Sequence, residues 1–152
     1  MENIEKSIVE SEIQLRKIAG MIKRKGRNIL TSYPITSPQF AALYCVIEEG
    51  DLTIGELSNR IGLAFSTTTD IVDRMEGNGL VKRVRDEKDR RVVRIHALDK
   101  GREILREVIH KRQEYLGEVL DGMPNAQIDQ LNELLALLLD RMQIVDEKYI
   151  SR

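Results

Sequence analysis

Between Ser66 and Arg74 the sequence STTTDIVDR arranges hydroxyls, carboxylates and a guanidinium at helical spacing around an apolar stripe of Thr68, Ile71, Val72 and Met75. Ser66, Thr67, Thr69, Asp70 and Arg74 stay outside that stripe. Hydroxyls can meet bases or phosphates, an aspartate can accept from the cytosine amino group, and an arginine can fork onto guanine. The plain alternative is a solvated helix face. Further along, residues 81–94 hold Lys82, Arg83, Arg85, Lys88, Arg90, Arg91 and Arg94 against Asp86, Glu87 and Asp89, a local net charge of +4. Such a segment suits phosphate contact and entry into a narrow minor groove, where negative potential concentrates. A hairpin kept soluble by its charges is the competing account. Enzyme chemistry has no comparable support, because the chain shows no nucleotide-binding glycine loop, no nucleophile elbow and no metal-ligand pair at helical spacing. No catalytic residue, metal site or cofactor is expected.

The elements that must position these groups are legible from period and punctuation. Ile4, Ile8, Leu15, Ile18, Ile22 and Ile29 keep one face of a 3.6-residue period, predicting a long helix over about 3–30. Tyr33-Pro34 ends it, since the residue before proline is pushed out of the α region. Thr36-Ser37-Pro38-Gln39 forms a capping box with an early proline and opens a helix to about 49. Thr53-Ile54-Gly55-Glu56 reads as a second capping box, for a short helix that stops at Gly62 as a left-handed cap. After a tight turn the helix of residues 65–77 follows, completing a helix-turn-helix. Val81 to Arg85 and Val92 to Leu98 are rich in β-branched residues and predict a β-hairpin. Asp99 is expected to cap a long fifth helix. A last helix over about 125–148 carries Ile128, Leu131, Leu135, Leu138, Met142, Val145 and Tyr149 in a coiled-coil-like seam.

Composition bounds the rest. The 152 residues fit one domain with a real core. The longest apolar runs, Ala41 to Ile47 and Leu134 to Leu139, fall far short of the ~20 residues of a membrane span. The start MENIEKSIVESE lacks the pattern of a secretory signal, so a cytoplasmic location is expected. One cysteine excludes an internal disulfide framework.

The order of helices, helix-turn-helix, hairpin and long helices describes a mainly α protein with a small β-hairpin wing, of α+β class. The segments Leu52 to Ser58 and Ser66 to Glu76, then Gly79-Leu80-Val81 and Asp89-Arg90-Arg91, resemble the MarR family of bacterial transcription regulators. The Thr36-x-x-Gln39-Phe40 entry and the Leu98-x-x-Gly101 exit fall in the same order, and the resemblance covers nearly the whole chain. It implies a winged helix-turn-helix with long terminal dimerisation helices: a single domain, residues 1–152, with residues 36–100 binding DNA and residues 3–30 and 104–148 dimerising. It also implies that Arg91 enters the groove, held by Asp89 with Arg90 beside it. Ile4, Ile8, Leu131, Leu135, Leu138 and Met142 become dimer contacts. An effector cleft is expected near the end of the first helix, the second helix and the start of the fifth, with Met21, Tyr33, Phe40 and Tyr44 as candidate lining residues; core filling explains each equally well.

Two departures oppose this reading. Asp70 stands where the family often has a basic residue, and Ala64 where it often has a Ser or Asp cap. Residues 48–80 count two basic (Arg60, Arg74) against seven acidic (Glu48, Glu49, Asp51, Glu56, Asp70, Asp73, Glu76), and an acidic recognition unit repels a polyanion. A pairing of Asp70 with Arg74, four apart, would relieve part of this. Residues 13–47 are the reverse, with Arg16, Lys17, Lys23, Arg24, Lys25 and Arg27 and no acid, and solvation or dimer pairing is the favoured reading there. Some members of the family sense peroxide through one cysteine; Cys45 sits in an apolar run with no neighbouring cation in sequence, which favours an inert buried thiol. His96 and His110 are expected to be structural or surface residues. The expected function is a homodimeric repressor acting on a near-palindromic operator in double-stranded DNA, relieved by a small-molecule effector. The alternative is a dimeric helical sensor or interaction module with weak or lost specific DNA binding.

Overall fold

The computed structural model describes the backbone of residues 1–150 and the side chains of residues 1–148. Six helices and one hairpin follow in order: α1 Glu2–Leu30, α2 Ser37–Glu49, α3 Ile54–Ile61, α4 Phe65–Gly77, β1 Val81–Arg85, β2 Val93–Ala97, α5 Asp99–Leu120 and α6 Asn125–Ile150. The chain is mainly α with a β-hairpin wing, as its patterning predicts. Among the described residues no helix is long and apolar enough to cross a membrane.

Local chemistry accounts for most helix ends. The Thr36 hydroxyl accepts from the Gln39 N–H, and the Gln39 side-chain oxygen accepts from the Thr36 N–H, a complete capping box for α2. At α3 only half of the expected box forms. Thr53 accepts from the Glu56 N–H, but the Glu56 carboxylate lies 3.6 Å from Arg94 on the wing, which outbids the backbone for it. Gly62 adopts φ 69, ψ 30 and closes α3 as a left-handed cap, a conformation that costs a residue with a Cβ far more. Asp99 is the first residue of α5 rather than its cap: Leu98 accepts the first helical bond from the Arg102 N–H, and Asp99 places its carboxylate in the first turn, where the helix dipole favours it.

Two compact units make up the chain, Met1–Gln113 and Glu114–Arg152. The first holds the core. Leu43, Val46, Leu57, Val72, Met75, Leu80, Val81, Ile95 and Val108 are almost fully buried, so α2, α3, α4, the hairpin and the first turns of α5 close around one apolar centre. The hairpin pairs Val81 with Ala97 through Arg85 with Val93, and Leu52 adds a bridge to Ile95, whose N–H donates to the Leu52 carbonyl at 2.7 Å. Gly101 passes so close that a Cβ there would sit 2.5 Å from the Leu80 carbonyl oxygen. In the second unit α6 leaves Leu134, Leu135, Leu137, Leu139, Met142, Ile144 and Val145 exposed, while Ile128, Leu131 and Leu138 are half-buried. The Tyr149 side chain of the predicted seam lies outside the described residues.

Candidate nucleic-acid interface

The helix-turn-helix is α3, a turn through Gly62-Leu63-Ala64, and α4. Thr68, Ile71, Val72 and Met75 anchor α4 in the core, the predicted stripe, and turn the other side of the helix to solvent. Ser66, Thr67, Asp70 and Arg74 are exposed on it. Thr69 is less available than its position suggests, because its hydroxyl donates to the Phe65 carbonyl at 3.0 Å. Its O–H is spent on the backbone, whereas those of Ser66 and Thr67 are not. Arg74 lines a groove of about 680 Å³ with Tyr33 and Thr36 of the α1–α2 turn and Gln39 of α2. No ion pair joins Asp70 to Arg74 among the described residues, so the orienting pair expected from their spacing is absent. Both remain outward on their own.

The acidic surplus of residues 48–80 is instead consumed by pairs that no sequence spacing announces. Arg83 of β1 reaches Asp73 at 2.5 Å and Glu76 at 3.0 Å, and its backbone N–H also donates to Glu76 at 2.8 Å. Arg94 of β2 lies 3.6 Å from Glu56 and 3.2 Å from Asp86. Arg60 grips Glu49 at 2.8 Å, and His96 meets Asp51 at 3.0 Å, tying the wing to the turn before α3. Four of the seven acids thereby have a cationic partner within the fold, and a fifth, Asp51, has the His96 imidazole as a hydrogen-bond partner. Among the described residues Glu48 and Asp70 have no such pair.

The wing spends two of its arginines on that task and keeps the others outward. Lys82, Lys88 and Arg90 are exposed, and Arg85 donates only to the Arg90 carbonyl, at 3.1 Å. Arg91 is 91% exposed, yet its orientation is set: its Nε and terminal nitrogen donate to the two Asp89 oxygens at 3.1 and 3.2 Å, and its backbone N–H donates to Asp89 at 3.0 Å. These bonds from the Arg91 side chain and backbone hold the Asp89 carboxyl below its ordinary pKa. The loop itself is stiffened where the Asp86 side chain accepts from the Asp89 N–H at 3.1 Å and the Val92 N–H donates to the Asp89 carbonyl at 3.0 Å.

A cavity of about 920 Å³ opens between α1 (Ile22, Lys23, Arg27), α2 (Phe40, Tyr44, Cys45), Arg60 of α3 and Arg112 of α5. Of the four residues named for an effector cleft, Phe40 and Tyr44 line this cavity and Met21 and Tyr33 do not. The α1 residues facing it are Ala19, Ile22, Lys23, Gly26, Arg27 and Leu30, a helical stripe from which Met21 is rotated away, and Tyr33 lies past the helix end in the groove beside Arg74. The Arg112 guanidinium stacks 4.8 Å over the Phe40 ring. The cavity is cationic, with no carboxylate on its lining. Cys45 does have a cation near it, Arg60 from α3, but burial, with Glu49 second, raises the thiol pKa and outweighs that arginine.

Residues 35–93 match the model of the MarR family. Over 136 residues the chain is 50% identical to an uncharacterized HTH-type transcriptional regulator, YsmB, of Bacillus subtilis (strain 168), covering 90% of this chain and 93% of that one. The structure of a MarR family protein from Bacillus stearothermophilus superposes with a TM-score of 0.86 at 54% identity, covering 91% and 97% of the two chains. Streptococcus pneumoniae FabT, solved in complex with DNA, shares the fold with a TM-score of 0.69 at 23% identity over 89% of this chain and 96% of that one.

Proposed function

The chain belongs to the MarR family of DNA-binding transcription regulators, which are not enzymes, and from that premise we infer that it is a cytoplasmic homodimeric repressor released by a small anionic effector. The observation that carries the DNA-binding part is the distribution of charge pairs. Four of the seven acids of residues 48–80 pair inside the fold with Arg60, Arg83 and Arg94, while Lys82, Lys88, Arg90 and Arg91 face outward. That pairing supports a DNA-binding regulator over a module that has lost specific DNA binding. In this reading residues 36–100 form the DNA-binding region. Ser66, Thr67, Asp70 and Arg74 meet base edges, Thr69 contributes an acceptor oxygen, and Arg91, braced by Asp89 and flanked by Arg90, enters the minor groove.

The dimer is supported by apolar surface that a monomer has no reason to expose. Ile4, Ile8, Ile18 and Ile22 of α1 are each more than half exposed, and α6 exposes Leu135 and Met142 beside half-buried Leu131 and Leu138. Pairing residues 3–30 and 104–148 across a twofold axis would cover them and set two α4 helices one DNA turn, ~34 Å, apart on a near-palindromic site. The cavity supports the effector. Its volume of about 920 Å³ suits a small organic ligand, and Lys23, Arg27 and Arg112 offer charges without a carboxylate partner among the described residues. A ligand there touches α1 and α5 of the dimer region and α2 and α3 of the DNA-binding region, and it shifts DNA affinity only if it prefers one arrangement of them.

Footprinting on the gene's own upstream DNA at two salt concentrations tests the reading. Protection of a near-palindromic site, with affinity falling steeply as salt rises and weakened by Arg91→Ala, is expected. No binding at low salt sinks it.

A further inference from the structure

Phe65 opens α4 and is 61% exposed. Within residues 36–100 it is the most exposed large apolar side chain, ahead of Tyr44 at 45% and Leu63 and Val93 at 38%. Tyr44 faces the cavity; Phe65 belongs neither to that cavity nor to the apolar faces of α1 and α6 that a dimer would cover. Exposing an aromatic ring to water carries a standing cost that its position must explain. Side chains on a helix tilt toward its N-terminus, so Phe65 projects past the start of α4, the end that a recognition helix presents to base edges.

Its neighbours share the character. Leu63 and Ala64, also exposed, precede it, and no side chain caps the helix at Ala64. Thr69 lies one turn along the same flank, and its hydroxyl donates back to the Phe65 carbonyl, which removes that proton from any base. The leading edge of α4 is therefore apolar, with the free hydroxyls of Ser66 and Thr67 beside it. In the major groove the one apolar feature that differs between base pairs is the thymine 5-methyl, and a phenyl ring is a natural contact for it.

We propose that Phe65 is a specificity-determining residue that packs on a thymine 5-methyl in each half-site, making the protein select T·A pairs where the start of α4 enters the groove. This rests on the DNA-binding reading above and adds to it a base preference that hydrogen-bonding groups alone do not supply.

The test uses full-length protein and duplexes selected by it from a random library, resynthesised with deoxyuridine replacing thymine one position at a time, which deletes the methyl and keeps every hydrogen bond. At one position per half-site, wild-type affinity is expected to fall about four-fold for each methyl lost. Phe65→Ala should bind the thymine site about as weakly as wild type binds the uracil site and lose nothing further on uracil; Phe65→Leu should keep part of the discrimination. If wild type selects a site but holds its thymine and uracil forms equally, the proposal falls while the regulator reading stands. It falls equally if Phe65→Ala still discriminates the methyl, or weakens all DNA alike. A wild type that selects no site overturns the regulator reading and this proposal together.

Discussion

The guanidinium of Arg83, on the first wing strand, lies 2.5 Å from the carboxylate of Asp73 on the recognition helix, and the same group reaches Glu76 at 3.0 Å. One cation thus pairs with two acids on the helix, offsetting half of their charge, and locks the wing to it. Because the partners are partly solvated, Arg83→Met should cost only about 1 kcal/mol of stability. Its effect on DNA should be far larger, at least ten-fold in Kd, since two uncompensated carboxylates would then face a polyanion. Adding Asp73→Ala and Glu76→Ala should restore part of the affinity. Thermal melting and fluorescence anisotropy on the protected site check both halves; a change in Kd below two-fold would show that the pairing does not matter to binding.

Asp89 separates charge from geometry. Deleting an acid from a cationic wing should tighten binding if only net charge counts. Because Asp89 holds Arg91 through three hydrogen bonds, Asp89→Ala is expected to weaken it several-fold instead. The pH dependence has a definite sign. The folded pKa is depressed, so the pair's contribution is complete above the ordinary carboxylate value, about 3.9, and is lost only as pH falls through the lower folded value. Binding between pH 6 and 8 should therefore carry no signature of Asp89. Titrating the Asp89 carboxyl by NMR would check the shift.

The division between what was legible in advance and what was not follows the range of the interactions. Thr36 with Gln39, Gly62 after α3 and the β-branched runs of the wing act within a few residues, and each element appears where such local rules place it. The same holds for Arg91 with Asp89, two residues apart. Arg83 with Asp73, Arg94 with Glu56 and Arg60 beside Cys45 depend on elements meeting in space, and spacing along the chain says nothing of them. Asp70 and Arg74, four apart on α4, form no ion pair among the described residues, because the acids of that helix that meet a cation, Asp73 and Glu76, face the wing. Met21 is turned away from the cavity by the rotation of roughly 100° per residue that separates it from Ile22 on the cavity side.

Cys45 should behave as a sluggish thiol. Burial and the nearby Glu49 raise its pKa, so at pH 7 less of it is thiolate than in a free cysteine, whose ordinary value is near 8.5. Its alkylation by iodoacetamide is expected to be slower than that of a free cysteine at pH 7 and to keep accelerating above pH 9. Rates from mass spectrometry, with guanidinium-unfolded protein as reference, decide it; faster reaction in the folded state at pH 7 would point to a redox role.

Arg112 bears on the cavity. Its guanidinium lies over the buried Phe40 ring and lines the cavity, so an anionic aromatic ligand beside it can pair with its charge. With an aromatic carboxylate such as benzoate as probe, Arg112→Gln should weaken binding about ten-fold and leave DNA affinity without the probe unchanged. Calorimetry on both proteins checks this, and equal affinity would remove Arg112 from the ligand site.

Gly101 and Gly55 give opposite predictions from the same substitution. Replacing a helical glycine by alanine stabilises by up to about 1 kcal/mol when the site has room. At Gly55 only the Thr53 hydroxyl lies within reach of a new methyl, at 4.0 Å, so Gly55→Ala should raise Tm slightly. At Gly101 the methyl would meet the Leu80 carbonyl oxygen at 2.5 Å and Leu43 at 3.1 Å. That oxygen accepts the Leu98 N–H at 2.9 Å and cannot retreat without loosening the joint between wing and α5. Overpacking of this kind costs about 1–3 kcal/mol, which exceeds the propensity gain. Gly101→Ala should therefore lower Tm by several degrees, at about 2–4 °C per kcal/mol for a chain of this size. Calorimetric melting of the two variants beside wild type decides the matter. If Gly101→Ala melted at or above the wild-type temperature, the close approach of α5 to Leu80 would not be a constraint on the fold.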